Sequence, residues 1–135
     1  MGTDTWLYGA VGKDIAGHKI IEILLQNNIS SRVCQDAEMT TTKTRMVGQN
    51  GQHLLRVDKE LSYTKTTVED ELLKDLTDTD TVIISDYNKG VIQKDTVQKI
   101  LTKCKNVYVD PKQGFSKYIG AFLVKPNMKE YEAWF

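Results

Sequence analysis

The sequence predicts an α/β fold in which a parallel sheet is flanked by helices and carries a projecting β-hairpin. Short apolar runs that are typical of buried strands alternate with longer segments whose apolar residues have helical spacing. Such alternation favours parallel strands joined by right-handed crossovers. Between these segments, Asn50-Gly51 separates two β-rich arms, which predicts a hairpin with a type I′ turn. The predicted fold is therefore a Rossmann-like sheet with a hairpin over about residues 40–58.

Composition narrows the class of protein further. The 135 residues suit one domain, and eighteen basic residues balance eighteen acidic ones, so no net charge attracts nucleic acid. No apolar run is long enough to enter a membrane. Cys34 and Cys104 are far apart and lack metal-ligand spacing, and His18 and His53 are isolated. We therefore expect reduced thiols, a cytoplasmic protein and no histidine-based metal site.

The first half of the chain begins with a strand over residues 5–12 that enters a glycine turn. Asp14 is the expected N-cap of a helix over about residues 15–27, and a short strand follows at residues 32–35. The spacing of Gly9, Gly12 and Gly17 differs from both GxGxxG and the Walker loop. We therefore favour the interpretation that these glycines allow the chain to turn from the strand into the helix. The less favoured alternative is that they form a phosphate-binding loop.

The second half continues the alternation of helix and strand. Helices are predicted over residues 68–76, with Thr67 as N-cap, and over residues 91–101. Strands are predicted at residues 81–84, 106–109 and 122–124, and a last helix near Asn127. The chain opens almost directly on a strand and stops within a helix, so we expect a segment truncated at both ends.

Polar and charged residues follow each predicted strand of the second half. Because the carboxyl ends of parallel strands line the ligand crevice of such a sheet, these residues should lie together there. They are Asp86, Lys89, Asp110, Lys112, Lys125, Asn127 and Glu130. On the hairpin arms, Lys43, Arg45 and Arg56 could offer positive charge to an anionic ligand, or could simply form a solvated sheet face.

Several motifs, in order, resemble the central part of the ribokinase-like (PfkB) sugar kinases. They are residues 11–17, the Thr-Lys-Thr-Arg strand at 42–45, Ser-Asp-Tyr-Asn-Lys-Gly at 85–90, Val-Asp-Pro-Lys at 109–112 and Pro-Asn-Met-Lys-Glu at 126–130. Within that family, the Ser-Asp-Tyr and Asp-Pro-Lys motifs look most like those of the D-glycero-β-D-manno-heptose 7-phosphate kinases of lipopolysaccharide core synthesis.

The resemblance implies phosphoryl transfer from ATP to the anomeric hydroxyl of a heptose 7-phosphate. Asn127 and Glu130 match the element that places Mg²⁺ and the phosphate groups. Lys89 and Lys112 would be charges for phosphate, and Asp86 would accept hydrogen bonds from sugar hydroxyls.

The hairpin matches the family's lid, which covers the sugar and often pairs with a second subunit. Lys43 and Arg45 would then face the substrate, and a homodimer through the hairpin is a further expectation. The family's catalytic base is expected beyond residue 135, so no catalytic residue is assigned within residues 1–135. These residues would form a partial kinase domain that is inactive alone.

Other functions stay open at this point. The same crevice could serve a non-catalytic α/β module that binds a phosphorylated sugar, or a kinase for another sugar of the same family. A receiver-like regulatory domain would use Asp86 or Asp110 as phosphoacceptor, but the hairpin interrupts the β-α alternation that such a domain requires.

Overall fold

The computed structural model describes residues 4–64 and 66–134, and the chain divides into two units between Ser62 and Tyr63. The first unit contains a parallel strand pair and a hairpin. Its elements are β1 (Trp6–Gly12), α1 (Ile15–Gln26), β2 (Ser30–Ala37), β3 (Thr42–Val47) and β4 (His53–Lys59). Strands β1 and β2 are parallel, with Trp6 opposite Ser30, and α1 is the crossover between them. This order agrees with the prediction from the sequence.

Helix α1 begins where the sequence predicts because Asp14 caps it. The Gly17 N–H donates to Asp14 Oδ1 at 2.8 Å, which satisfies one of the N–H groups that a helix start leaves unpaired. Asp14 also accepts the Thr40 N–H at 2.8 Å and the Thr40 hydroxyl at 2.6 Å. The cap therefore also ties the start of α1 to the segment that leads into the hairpin.

Gly12 and Gly17 are required by close packing in the same region. A Cβ on Gly12 would collide with the backbone of Met39 and Thr40, and one on Gly17 would collide with the Gly12 carbonyl. The structural interpretation of these two glycines is confirmed. Gly9 has open space around its Cα, so no such constraint applies there.

The hairpin of β3 and β4 is confirmed, but its turn is not of type I′. A type I′ turn needs positive φ at both central residues, and in this loop only Gly51, at 74°, has it. The Gly51 N–H donates to the Gly48 carbonyl at 3.0 Å. This is the arrangement of a three-residue loop closed by a left-handed glycine, and it goes with the register shift between Met46 and Val47.

The second unit contains a three-stranded parallel sheet with the strand order β5-β6-β7. Its elements are α2 (Val68–Asp75), β5 (Thr81–Asp86), α3 (Lys94–Lys103), β6 (Asn106–Pro111), a 3-10 helix (Phe115–Tyr118), β7 (Leu123–Val124) and α4 (Met128–Glu132). Thr81 lies opposite Asn106, and Asp86 lies opposite Pro111. The predicted parallel α/β arrangement is thus present in both units.

Local details of this unit differ from the prediction. Helix α3 begins at Lys94 rather than near Val91, because Gly90 has a φ of 79° and Gln93, the N-cap residue, is still extended. Thr67 occupies the N-cap position of α2, but its side chain makes no capping hydrogen bond. The 3-10 helix lies in a segment that the sequence predicted to be a simple connection.

A compact apolar core fixes the strands of the second unit. It consists of Leu76, Ile84, Val97, Ile100, Cys104, Val107, Val109 and Tyr118. Val97, Ile100 and Val107 are completely buried, and each such side chain stabilises the fold by about 1.5–3 kcal/mol. The core packs α3 against β5 and β6, and this packing holds the two strands, including their carboxyl ends, in place.

Among residues 4–64 and 66–134, no helix combines the length and the apolar character needed to cross a membrane. Cys34 and Cys104 are both free thiols.

Candidate functional site

A cavity of about 260 Å³ lies at the carboxyl ends of the three parallel strands of the second unit. It forms because β5, β6 and β7 all end on this edge of the sheet, and their continuations are held in register. The Lys112 N–H donates to the Asp86 carbonyl at 2.8 Å, and the Lys125 N–H donates to the Val109 carbonyl at 2.9 Å. The cavity is lined by Asp86, Tyr87, Asp110, Pro111, Lys112, Lys125, Asn127 and Glu130.

Asn127, Glu130 and Lys112 form one connected group at this cavity. The Asn127 side chain accepts the Glu130 N–H at 3.0 Å, and the Glu130 carboxylate accepts the Asn127 N–H at 2.8 Å, which is a capping box at the start of α4. The other Glu130 oxygen lies 3.0 Å from Lys112 Nζ. The structure therefore brings together residues that the sequence places on two separate strand exits.

Hydrogen bonding favours the ionised form of Glu130. The Asn127 N–H, which donates to its carboxylate, lowers the pKa of Glu130 below its ordinary value. Partial burial opposes this change, and the Lys112 ammonium group adds to it. Both carboxylate oxygens already have partners, so a cation at the cavity would interact with Glu130 through its bound waters, alongside Lys112.

Asp86 also borders the cavity, but its carboxylate is 5% exposed and is occupied by internal donors. Lys117 Nζ lies 2.5 Å from Asp86 Oδ2, the Tyr118 hydroxyl donates to the same oxygen at 2.7 Å, and the Asn88 N–H donates to Oδ1 at 2.7 Å. Burial alone would raise the pKa of Asp86, but these donors together hold it below the ordinary value. The carboxylate thus has different partners from the sugar hydroxyls expected from the resemblance.

Tyr87 lines the cavity but was not predicted as a site residue. The sequence also did not predict Lys117 and Tyr118, which donate to Asp86 beside the cavity. They are separated from Asp86 by 31 and 32 positions, and the segment that carries them has neither strand nor helix periodicity. Only a motif that joined the two segments could have revealed them. Lys89, by contrast, was expected in the crevice; it is half-buried in the loop after β5, outside the cavity lining.

Lys43 and Arg45 lie in the first unit, on β3 of the hairpin. Lys43 Nζ is 2.8 Å from Glu60 and 3.4 Å from Asp58, and these carboxylates, Glu60 first, raise the pKa of Lys43. Arg45 is directly opposite Arg56, and both line a hairpin cavity of about 310 Å³ with His53, Leu54 and Leu55. Like charges directly opposite each other repel, but Arg56 Nε also lies 3.1 Å from Asp58 Oδ1, which balances part of the positive charge.

The residues at the strand ends can be compared with the needs of a magnesium ion. Among residues 4–64 and 66–134, no group of three or more histidine, cysteine, aspartate or glutamate residues could enclose a metal. Magnesium, however, usually keeps several waters and uses one or two carboxylates together with substrate phosphates. Asp110 and Glu130 offer two carboxylates at the cavity, so the donor set fits a hydrated ion that arrives with a phosphorylated ligand.

Comparison with known structures first establishes the fold. The ribokinase from Giardia lamblia is 20% identical to this chain, with a TM-score of 0.69, over 96% of this chain and 43% of that chain. At that level of identity the likeness shows the fold alone, and the fold is ribokinase-like.

Sequence comparison then establishes the family. The sequence model of the pfkB family of carbohydrate kinases matches residues 1–135. The chain therefore belongs to this family. The chain is 36% identical over 142 residues to the bifunctional protein HldE of Sulfurimonas denitrificans, covering 96% of this chain and 30% of the relative. It is 39% identical over 142 residues to HldE of Helicobacter pylori, covering 94% of this chain and 30% of the relative. The chain therefore spans less than a third of the length of these relatives.

Proposed function

We propose that the intact protein is a kinase that transfers the terminal phosphoryl group of ATP to the anomeric hydroxyl of heptose 7-phosphate. The product would be the 1,7-bisphosphate, an intermediate in the supply of ADP-heptose for the lipopolysaccharide core. The observation that carries this proposal is the cavity at the strand ends, which gathers Lys112, Lys125, Asn127 and Glu130. Membership of the carbohydrate kinase family and the motif resemblance to heptose 7-phosphate kinases support the choice of substrate.

The lysines of the cavity suit a phosphorylated ligand. Lys112 has an exposed side chain, and Lys125 is exposed at the neighbouring strand exit, so both ammonium groups can approach phosphate oxygens. Lys89, in the loop after β5, is proposed as a further charge for phosphate. Asp86 is proposed to contribute through the loop that it anchors, because its carboxylate is already filled by internal donors.

Magnesium and ATP are the cofactors that the proposal requires. Glu130, Asp110 and the Asn127 amide would hold the hydrated ion through its waters, and the ion would neutralise charge that develops on the transferred phosphoryl group. The capping box keeps Glu130 in place, and Lys112 balances its charge until the ligand arrives.

The hairpin is proposed to bind part of the substrate and to pair with a second copy of the chain. One face carries Met46, Leu55 and Val57, which are 55%, 54% and 42% exposed. The opposite face carries Lys43 and Arg45, the residues expected to contact the sugar phosphate. An exposed apolar face on a two-stranded hairpin favours association, because burial of that face in a dimer removes it from water.

The proposal is tested by incubating the intact protein with Mg²⁺-ATP and heptose 7-phosphate and identifying the product by phosphorus NMR. In a Lys112→Ala variant, the KM for the sugar phosphate should rise by roughly tenfold with a smaller change in kcat, because the charge serves ground state and transition state alike. Lys105→Ala is the matched control, since Lys105 is exposed at the opposite end of β6.

The outcome separates the proposal from its alternatives. Failure to phosphorylate heptose 7-phosphate, together with turnover of another sugar, would assign the protein to a different branch of the family. Binding of heptose 7-phosphate without ATP-dependent product would instead favour a non-catalytic binding module.

A further inference from the structure

A buried network joins the 3-10 helix Phe115–Tyr118 to the strand-end cavity. Lys117 Nζ and the Tyr118 hydroxyl both donate to Asp86 Oδ2, at 2.5 and 2.7 Å. Lys117 Nζ also donates to the Ile92 carbonyl at 2.6 Å. Lys117 therefore bridges the last residue of β5 and the far end of the loop that follows it.

The network is well shielded from water. Tyr118 is 1% exposed and belongs to the apolar core, while the side chains of Lys117 and Asp86 are 15% and 4% exposed. Burial and the bond to Asp86 both raise the pKa of Tyr118, so its hydroxyl stays a donor. Buried ion pairs contribute little net stability compared with apolar residues of the same size, and their better-attested use is to fix one arrangement among several.

The site residues that this network holds in place are Lys112 and Glu130, which are linked to it through Asp86. The main chain of Asp86 accepts the Lys112 N–H at 2.8 Å, just past the end of β6, and Lys112 in turn holds Glu130 at 3.0 Å. The Asp86 side chain also accepts the Asn88 N–H, which shapes the loop after β5. A continuous series of contacts thus runs from Tyr118 through Asp86 and Lys112 to Glu130.

We propose that Lys117 and Tyr118 are positioning residues, which act through Asp86 to hold Lys112 and the loop after β5 in place for the phosphorylated substrate. This inference rests on the proposed function for its kinetic consequences. It assigns Asp86 a positioning role, in place of direct contact with sugar hydroxyls. Neither Lys117 nor Tyr118 needs to touch the substrate.

Tyr118→Phe is the sharpest test, because it removes one buried hydroxyl and keeps the ring in the core. In the intact protein we expect the KM for heptose 7-phosphate to rise by up to roughly tenfold, with little change in kcat, because substrate binding weakens by the factor by which the binding-competent arrangement loses population. Tyr108→Phe is the matched control. Tyr108 lies on β6 with its ring against Phe122, and among the described residues its hydroxyl forms no hydrogen bond.

A readout that does not depend on activity is hydrogen exchange of the Lys112 amide. In Tyr118→Phe this amide should exchange roughly tenfold faster, since its acceptor, the Asp86 carbonyl, is less firmly held. The Lys125 amide, which donates to Val109 in the same sheet, is the internal reference and should not change. Lys117→Arg, which keeps the charge, should stay closer to the parent than Lys117→Met in both measurements.

The results distinguish the possible failures. Equal acceleration at Lys112 and Lys125, or an unchanged KM in a folded Tyr118→Phe protein, would show that the network only stabilises the fold and would overturn the proposal. If Lys117→Met does not fold, Tyr118→Phe still decides the question. If the parent protein does not phosphorylate heptose 7-phosphate, the proposed function fails, and the exchange comparison alone decides whether the network positions Lys112.

Discussion

Replacement of Thr40 by valine should weaken the junction between the hairpin and the first parallel strand pair. Thr40 is 5% exposed, and its hydroxyl accepts the Gly12 N–H at 2.9 Å and donates to Asp14 Oδ1 at 2.6 Å. Valine has nearly the same shape but can make neither bond. The change therefore removes hydrogen bonds without opening a cavity.

The size of the effect follows from these bonds. A buried N–H left without a partner, here that of Gly12, costs about 1–3 kcal/mol. The hydrogen bond to Asp14 is also lost, but that carboxylate is partly open to water, so its contribution is smaller. We expect the free energy of unfolding to fall by about 1–3 kcal/mol.

The same substitution should alter the pH dependence of stability. The Thr40 hydroxyl is the main cause of the low pKa of Asp14, which is lowered from 3.8 to about 2, and the N–H groups of Thr40 and Gly17 add to it. A carboxylate with a lowered pKa stabilises the fold above its unfolded pKa, and this contribution is lost as the pH falls through the folded pKa. The difference in stability between parent and Thr40→Val should therefore shrink between about pH 4 and pH 2.

Urea unfolding followed by circular dichroism, at pH 7 and at low pH, measures both effects. Thr44→Val is the control, because Thr44 is exposed on β3 and the substitution has the same chemistry. A loss in Thr40→Val no greater than that in Thr44→Val, or a difference that does not depend on pH, would refute the assignment of this hydroxyl as the link.

The remaining predictions concern the site, the hairpin and the glycine turn. Glu130→Gln should lower kcat more than it raises the KM for the sugar, because magnesium acts on charge that develops in the transition state. Steady-state kinetics measures both constants, and Glu132→Gln, at an exposed position on the same helix, is the control. Leu55→Glu should shift the protein toward monomer in sedimentation velocity, whereas the control Gln49→Glu, in the turn, should not. If the unmutated protein is monomeric at high concentration, the proposed hairpin dimer is contradicted. Gly17→Ala should lower the free energy of unfolding by about 1–3 kcal/mol in a urea titration, while Gly9→Ala, whose added Cβ meets no atom within 4 Å, should cause no comparable loss from crowding.

The sequence by itself determined the architecture and the place of the candidate site. Apolar runs and helical spacing identified the strands and the helices, and parallel strands necessarily bring their carboxyl ends to one edge. That rule was enough to predict that Lys112, Asn127 and Glu130 lie together at one cavity. The Asp14 cap was also predictable, because a capping side chain and the N–H that it accepts are neighbours in the chain.

Features that depend on distant partners were decided only by the tertiary structure. Asn50-Gly51 favours a type I′ turn locally, but the register between β3 and β4 adds a residue to the loop and leaves positive φ at Gly51 alone within it. A position after a strand suggested that Asp86 faces a ligand. Its carboxylate instead accepts hydrogen bonds from Lys117 and Tyr118, which lie 31 and 32 positions further along the chain. The fold places them beside the end of β5, and no local sequence pattern predicts a contact between segments so far apart.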